Sequence, residues 1–142
     1  MAAAKMSVAE LEKFLHEEFP QAFSDGDITI ESADGETCLL RRRFDERMLR
    51  PGGTVSGPTL MAMADFAMYV VLLSAIGPVG LAVTTNLNIN FLRKPAQADL
   101  IAEARLMKVG KRLAVGEVTI YSDGSSDAVA HVTSTYSIPE SR

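Results

Sequence analysis

The spacing of apolar and polar residues changes several times along the chain, and each change marks an element. From Ser7 to about Phe23, Val8, Leu11, Phe14, Leu15 and Phe19 recur at helical spacing among Glu and Lys, which predicts an amphipathic N-terminal helix acting as a lid or brace. Asp27 to Ala33 and Glu36 to Phe44 read as two strands around Asp34-Gly35, a pair with strong hairpin character. A polar loop with two arginines follows from Asp45 to Val55, broken by Pro51-Gly52-Gly53. Ser56 to Gly77 is then almost wholly apolar. Ser56-Gly57-Pro58-Thr59 can cap and open a helix there, and Gly77-Pro78 ends it.

Beyond that helix, Leu81 to Leu92 alternates, with Val83, Thr85, Leu87, Ile89 and Phe91 on one face and Thr84, Asn86, Asn88 and Asn90 on the other. This predicts a half-buried strand. Three more strands are expected at Ala98–Lys108, Arg112–Tyr121 and Asp127–Ile138, separated by Gly110-Lys111 and Asp123-Gly124. Connections this short favour an antiparallel meander, because parallel neighbours need long crossovers. The expected class is α+β: five or six antiparallel strands curled around one central helix, plus the N-terminal helix, in a single domain over residues 1–142.

Within the central segment, Leu60 to Ala64 precede one carboxylate, Asp65, and Phe66 to Leu73 follow it. A helix apolar all round is buried on most sides, and an unpartnered charge there is costly. Asp65 is therefore expected to be paired, neutralised, or facing a cleft that uses it as a base or nucleophile. A structural Asp held by backbone amides is the plainer reading. A membrane span is disfavoured, because the run falls slightly short of about 20 apolar residues and carries Asp65.

Composition narrows the classes further. With 47% apolar residues the chain is at the hydrophobic end for a soluble domain, which points to surface buried between subunits of a homo-oligomer. A net charge of −4 argues against non-specific nucleic-acid binding. The one cysteine, Cys38, excludes an intramolecular disulfide and lies in a strand pattern. No secretory signal is visible after Met1, so the expected compartment is the cytoplasm.

Two stretches carry a resemblance: Val55-Ser56-Gly57-Pro58-Thr59-Leu60-Met61-Ala62-Met63-Ala64-Asp65-Phe66-Ala67, and Thr85-Asn86-Leu87-Asn88-Ile89-Asn90-Phe91-Leu92-Arg93-Lys94-Pro95. Together they resemble the PaaI-type (phenylacetate-degradation) branch of the hotdog-fold acyl-CoA thioesterases, over about Glu36 to Ile138. The resemblance implies a curled sheet around one helix, subunits paired through their sheets, and active sites at the dimer interface. It places the helix carboxylate on Asp65, the oxyanion-donating amide on Gly57 and a water-positioning side chain on Thr84. Arg93 and Lys94 match positions that bind the phosphates of coenzyme A. Ser56 stands where the family has histidine, Pro58 where it has a second glycine, and Arg50 where an asparagine often precedes the motif. Ser56 is thus a cap or a substrate contact, and Arg50 a solvated charge or a ligand for the thioester oxygen or a substrate carboxylate.

The resemblance implies an acyl-CoA substrate, a homodimer or dimer of dimers, and no cofactor, nucleic acid or membrane partner. A weak or silent acyl-CoA binding protein and a purely structural oligomer are the alternatives. Hotdog dehydratases use a histidine beside their carboxylate, whereas His16 and His131 are both far from Asp65 in sequence. No Cys/His cluster suited to zinc and no glycine-rich phosphate loop is present. Arg41, Arg42, Arg43 and Arg47 read as charges on an exposed strand and loop, and Lys111 and Arg112 as solvent-facing turn residues. Met61, Met63, Met68 and Phe66 either line a pocket or fill the core.

Overall fold

The computed structural model describes residues 3–23 and 26–140; Met1 and Ala2, which open the N-terminal peptide, lie outside it. Helix α1 (Val8–Glu18) starts at Ser7, whose hydroxyl accepts from Glu10 N–H while the Glu10 carboxylate accepts from Ser7 N–H. It ends earlier than the periodicity predicts. Phe19 precedes Pro20, which disfavours helical backbone at Phe19, and the chain turns back so that Phe23 reaches the ring of Phe66.

Strands β1 (Ile28–Ala33) and β2 (Thr37–Arg42) form the expected hairpin. Gly35 takes the left-handed turn position at φ 90°, and the Asp34 carboxylate accepts from the amides of Glu36 and Thr37. A short 3₁₀ turn (Glu46–Met48) interrupts the following loop. Helix α2 (Gly57–Ile76) then runs through the middle of the molecule, followed by β3 (Val83–Phe91), β4 (Leu100–Val109), β5 (Leu113–Ser122) and β6 (Ala128–Ser137).

All six strands belong to one antiparallel sheet in the order β1-β2-β4-β5-β6-β3. β4, β5 and β6 form the predicted meander, while β3 sits at the far edge, paired only with β6. The sheet curls around α2, giving the hotdog architecture. Met68, Val70, Val71, Leu72 and Leu73 are fully buried, which accounts for a helix with no polar face. At 20 residues α2 is long enough to cross a bilayer core, but the sheet rather than lipid covers it. Small residues on the facing strands, Ala102, Ala104, Ala114 and Gly116, let helix and sheet approach closely. At Gly116 a β-carbon would stand 2.7 Å from Met68 Sδ and 2.9 Å from the Arg105 carbonyl oxygen.

β3 departs from its expected half-buried state. Only Leu87 and Ile89 are partly covered, and Val83, Phe91 and Leu92 are each more than half exposed. The reason is its edge position, which leaves one row of backbone groups and part of its apolar face without a neighbour. Its alternation is also broken. Thr84 pairs with Tyr136 but Asn86 pairs with Thr135, so Thr85 is an extra residue in a β-bulge.

Candidate active site

The bulge decides which way Thr84 points. Directly opposed residues in an antiparallel pair share a face, and Tyr136 belongs to the inward set of β6 with Ala130, Val132 and Ser134. Thr84 therefore joins Leu87, Ile89 and Phe91 on the helix side, not Asn86, Asn88 and Asn90 as strict alternation predicts. Its Oγ1 donates to Asp65 Oδ1 at 2.6 Å. Tyr136, whose role the sequence did not reveal, brings its phenol O–H to 3.3 Å from both Asp65 Oδ1 and the Asp65 main-chain oxygen.

Asp65 is half-buried, so the sealed, isolated charge suggested by the pattern is not what the fold contains. Two hydroxyls from adjoining strands accompany it, and it opens on a cavity of about 470 Å³ lined also by Phe19, Phe66, Tyr69 and Tyr136. Burial, with the nearby Asp65 charge adding, pushes the Tyr136 phenol far above its ordinary range. Tyr69 stacks on Tyr136 with ring centres 6.1 Å apart and donates its own O–H to the Gly80 carbonyl at 3.0 Å. Burial raises the Tyr69 phenol as well.

A larger cavity of about 820 Å³ lies between α1, β1 and the first half of α2, with Lys13, His16, Phe23, Arg42, Thr59 and Met63 among its walls. Ala22, Ala62 and Phe66 line both spaces. The helix methionines thus divide: Met63 borders this cavity, Met61 is exposed, and Met68 is core.

The remaining predicted site residues include Ser56 and Gly57 at the start of α2, about two turns before Asp65. Ser56 Oγ caps the helix, accepting from Thr59 N–H at 3.3 Å and lying 2.8 Å from Thr59 Oγ1. The Gly57 N–H has no acceptor among the described residues, as expected at a helix start. A β-carbon on Gly57 would lie 3.3 Å from Phe91 Cζ, so the end of β3 packs on the helix entry. Two residues past Phe91, Arg93 holds the Ala128 carbonyl through Nη1 at 3.0 Å, and Lys94 is exposed. Arg50 is exposed in the turn before the helix, where its N–H donates to Thr54 O and its carbonyl accepts from Gly53 N–H.

The chain therefore brings Asp65, Thr84 and Tyr136 together and leaves Arg50, Ser56, Gly57, Arg93 and Lys94 as a second group. Asp65 follows Gly57 by eight residues, about 12 Å along the helix axis.

The other singled-out groups lie outside both sets. His131 is half-exposed, with Nε2 2.9 Å from Glu117 Oε1, and Arg105 also pairs with Glu117. His16 Nδ1 lies 2.9 Å from the Phe23 carbonyl oxygen. Arg41 is a structural anchor that pairs with Glu31, Asp99 and Asp123 at 2.8, 3.1 and 2.9 Å, and Arg112 meets Glu140 at 3.1 Å. Cys38 is buried in β2, which pushes its thiol far up.

A curled antiparallel sheet around one long helix is the arrangement of the hotdog class. The chain belongs to the thioesterase superfamily, whose family profile matches residues 52–129. A Saccharolobus solfataricus protein named "Putative esterase" is 30% identical over 132 residues, covering 92% of this chain and 85% of that protein. The solved structure of a "putative thioesterase" from Silicibacter sp. TM1040 is 42% identical with a TM-score of 0.87, covering 96% of this chain and 94% of that one. Another, from Ralstonia eutropha and named as a "phenylacetic acid degradation-related protein", is 26% identical with a TM-score of 0.72, covering 78% and 84%.

Proposed function

We propose that the chain hydrolyses an acyl-coenzyme A thioester as a PaaI-type homodimer, with Asp65 of one protomer facing the Gly57 amide of the other. Family membership and the esterase-named relatives support thioester hydrolysis in general. The observation that carries the finer reading is the division of the site residues into two groups at opposite ends of one helix segment. A carboxylate and an amide donor about 12 Å apart along an axis cannot serve one thioester carbonyl, whereas two copies can bring them together. The free β3 edge with exposed Val83, Phe91 and Leu92 supports such pairing, since it joins the two groups and has apolar area left uncovered.

In this reading the Gly57 N–H, at the positive end of α2, polarises the thioester carbonyl and holds the oxyanion that forms on it. Asp65 either takes a proton from a water molecule, whose oxygen attacks the acyl carbon, or attacks that carbon itself and is later released by water. Both routes break the C–S bond, add one water across it, and protonate the thiolate. The Thr84 hydroxyl donates its hydrogen bond to Asp65 and retains lone pairs that can accept a hydrogen bond from that water. Arg93 and Lys94 supply positive charge for the phosphates of coenzyme A, and Arg50, in the turn before the helix, is a ligand for the thioester oxygen or a substrate carboxylate.

Ser56 favours a second reading. Its hydroxyl caps the helix where the family has a histidine, and Pro58 beside Gly57 offers no N–H, both consistent with a protein that binds acyl-CoA without turning it over. Release of free thiol from a panel of acyl-CoA esters separates the two. Wild type is expected to turn over and Asp65→Asn to lose about 100-fold or more in kcat. Equal rates reject the proposal, and heat on titration with coenzyme A without hydrolysis by wild type selects the binding protein.

A further inference from the structure

Resting on that reading, we propose that Tyr136 is a positioning residue which, with Thr84, occupies Oδ1 of Asp65 and leaves Oδ2 as the oxygen that reacts. Thr84 and Tyr136 are direct partners across β3 and β6, so their hydroxyls approach the carboxylate side by side. Both reach the same oxygen, at 2.6 and 3.3 Å, and Oδ2 accepts from no group among the described residues. A carboxylate offers two oxygens with about four acceptor sites. Loading one oxygen with two donors stops the group from turning about its last bond and makes the other oxygen the more basic.

The phenol is well placed for this task. Tyr136 is only 4% exposed, and its ring is held against Tyr69 at an interplanar angle of 28°. Its single proton is shared between Oδ1 and the Asp65 main-chain oxygen, so the same contact steadies both the backbone and the side chain of the reacting residue. Burial raises its proton affinity, so the phenol stays protonated and able to donate at neutral pH. If ring packing were the residue's whole role, phenylalanine would serve as well. Tyr69 cannot substitute, because its hydroxyl is committed to Gly80.

The test uses full-length wild type, Tyr136→Phe, Thr84→Val and the double variant, assayed for kcat, KM and thermal midpoint on the best acyl-CoA substrate. Tyr136→Phe is expected to lose about tenfold in kcat with KM unchanged, since the hydroxyl acts through the carboxylate. The double variant is expected to lose more than the product of the single losses, because each hydroxyl partly covers for the other on the same oxygen. Should Tyr136→Phe not fold, a tyrosine fluorinated beside its hydroxyl carries the same comparison, with a changed kcat at constant KM expected. Wild-type kcat in the Tyr136 variant beside an inactive Asp65→Asn overturns this inference and leaves the hydrolase reading standing. An Asp65→Asn as active as wild type removes both.

Discussion

The edge of the Phe91 ring lies against Gly57, with 3.3 Å between Phe91 Cζ and the place a β-carbon would take. The helix entry and the exit of β3, the two stretches that carry the family resemblance, are thus in contact within the one chain. Phe91 is more than half exposed and free to give way.

Gly57→Ala is accordingly expected to change folding stability by no more than about 0.5 kcal/mol in urea titrations. Its effect falls on turnover, because the ring and the helix entry shift against each other by a few tenths of an ångström. A fall of about tenfold in kcat/KM is expected, partly regained in Gly57→Ala/Phe91→Leu. Unaltered kinetics in the single variant would contradict this, showing that the helix entry takes a β-carbon without displacing its amide.

Gly116 makes the opposite case, because its contacts are with core and backbone. An alanine there meets Met68 Sδ and the Arg105 carbonyl, and the carbonyl cannot move without disturbing the β4–β5 ladder. Gly116→Ala is expected to cost about 1–3 kcal/mol by chemical denaturation, and trimming Met68 as well recovers only part of it. Full recovery in Gly116→Ala/Met68→Ala would mean that the strand backbone yields freely.

Acid should unfold this protein through its paired carboxylates. Asp99 accepts Phe44 N–H at 2.7 Å and Arg41 Nη1 at 3.1 Å, and these contacts, the Phe44 amide foremost, hold its pKa below the ordinary range. Asp34 is lowered by the Thr37 and Glu36 amides, Glu117 by His131 and Arg105, and Asp45 to about 2 by Arg47. A folded pKa below the unfolded one means that the unfolded chain binds more protons in acid. The contribution is therefore complete above the ordinary carboxylate value of about 4 and is lost as pH falls through the lower folded values. The thermal midpoint is expected to be level down to about pH 5 and then to fall. Asp99→Asn should lower the plateau and flatten the acid slope, and an identical slope in wild type and variant would contradict the assignment.

Much of the molecule was legible in the residue pattern. The Asp34-Gly35 hairpin, the capped apolar helix with Asp65, and the meander of the last three strands follow from turn chemistry and from periods of 3.6 and 2, which are local properties of the chain. The early end of α1 was legible too, in Pro20, although apolar spacing alone carried the helix past it.

Local pattern could not show the partners of Asp65. Period-2 alternation puts Thr84 with the outward asparagines, and only its pairing with β6, through the bulge at Thr85, turns it inward. Tyr136 reaches Asp65 across 71 positions of sequence, a meeting set by the curl of the sheet around α2. The chain by itself determined which segments form strands and helices and which carboxylate stands among the apolar residues of the central helix, because side-chain size and polarity act between near neighbours. Which hydroxyls face that carboxylate, and which strand is left at an open edge, was decided by strand register and sheet order, because these depend on pairings between distant segments.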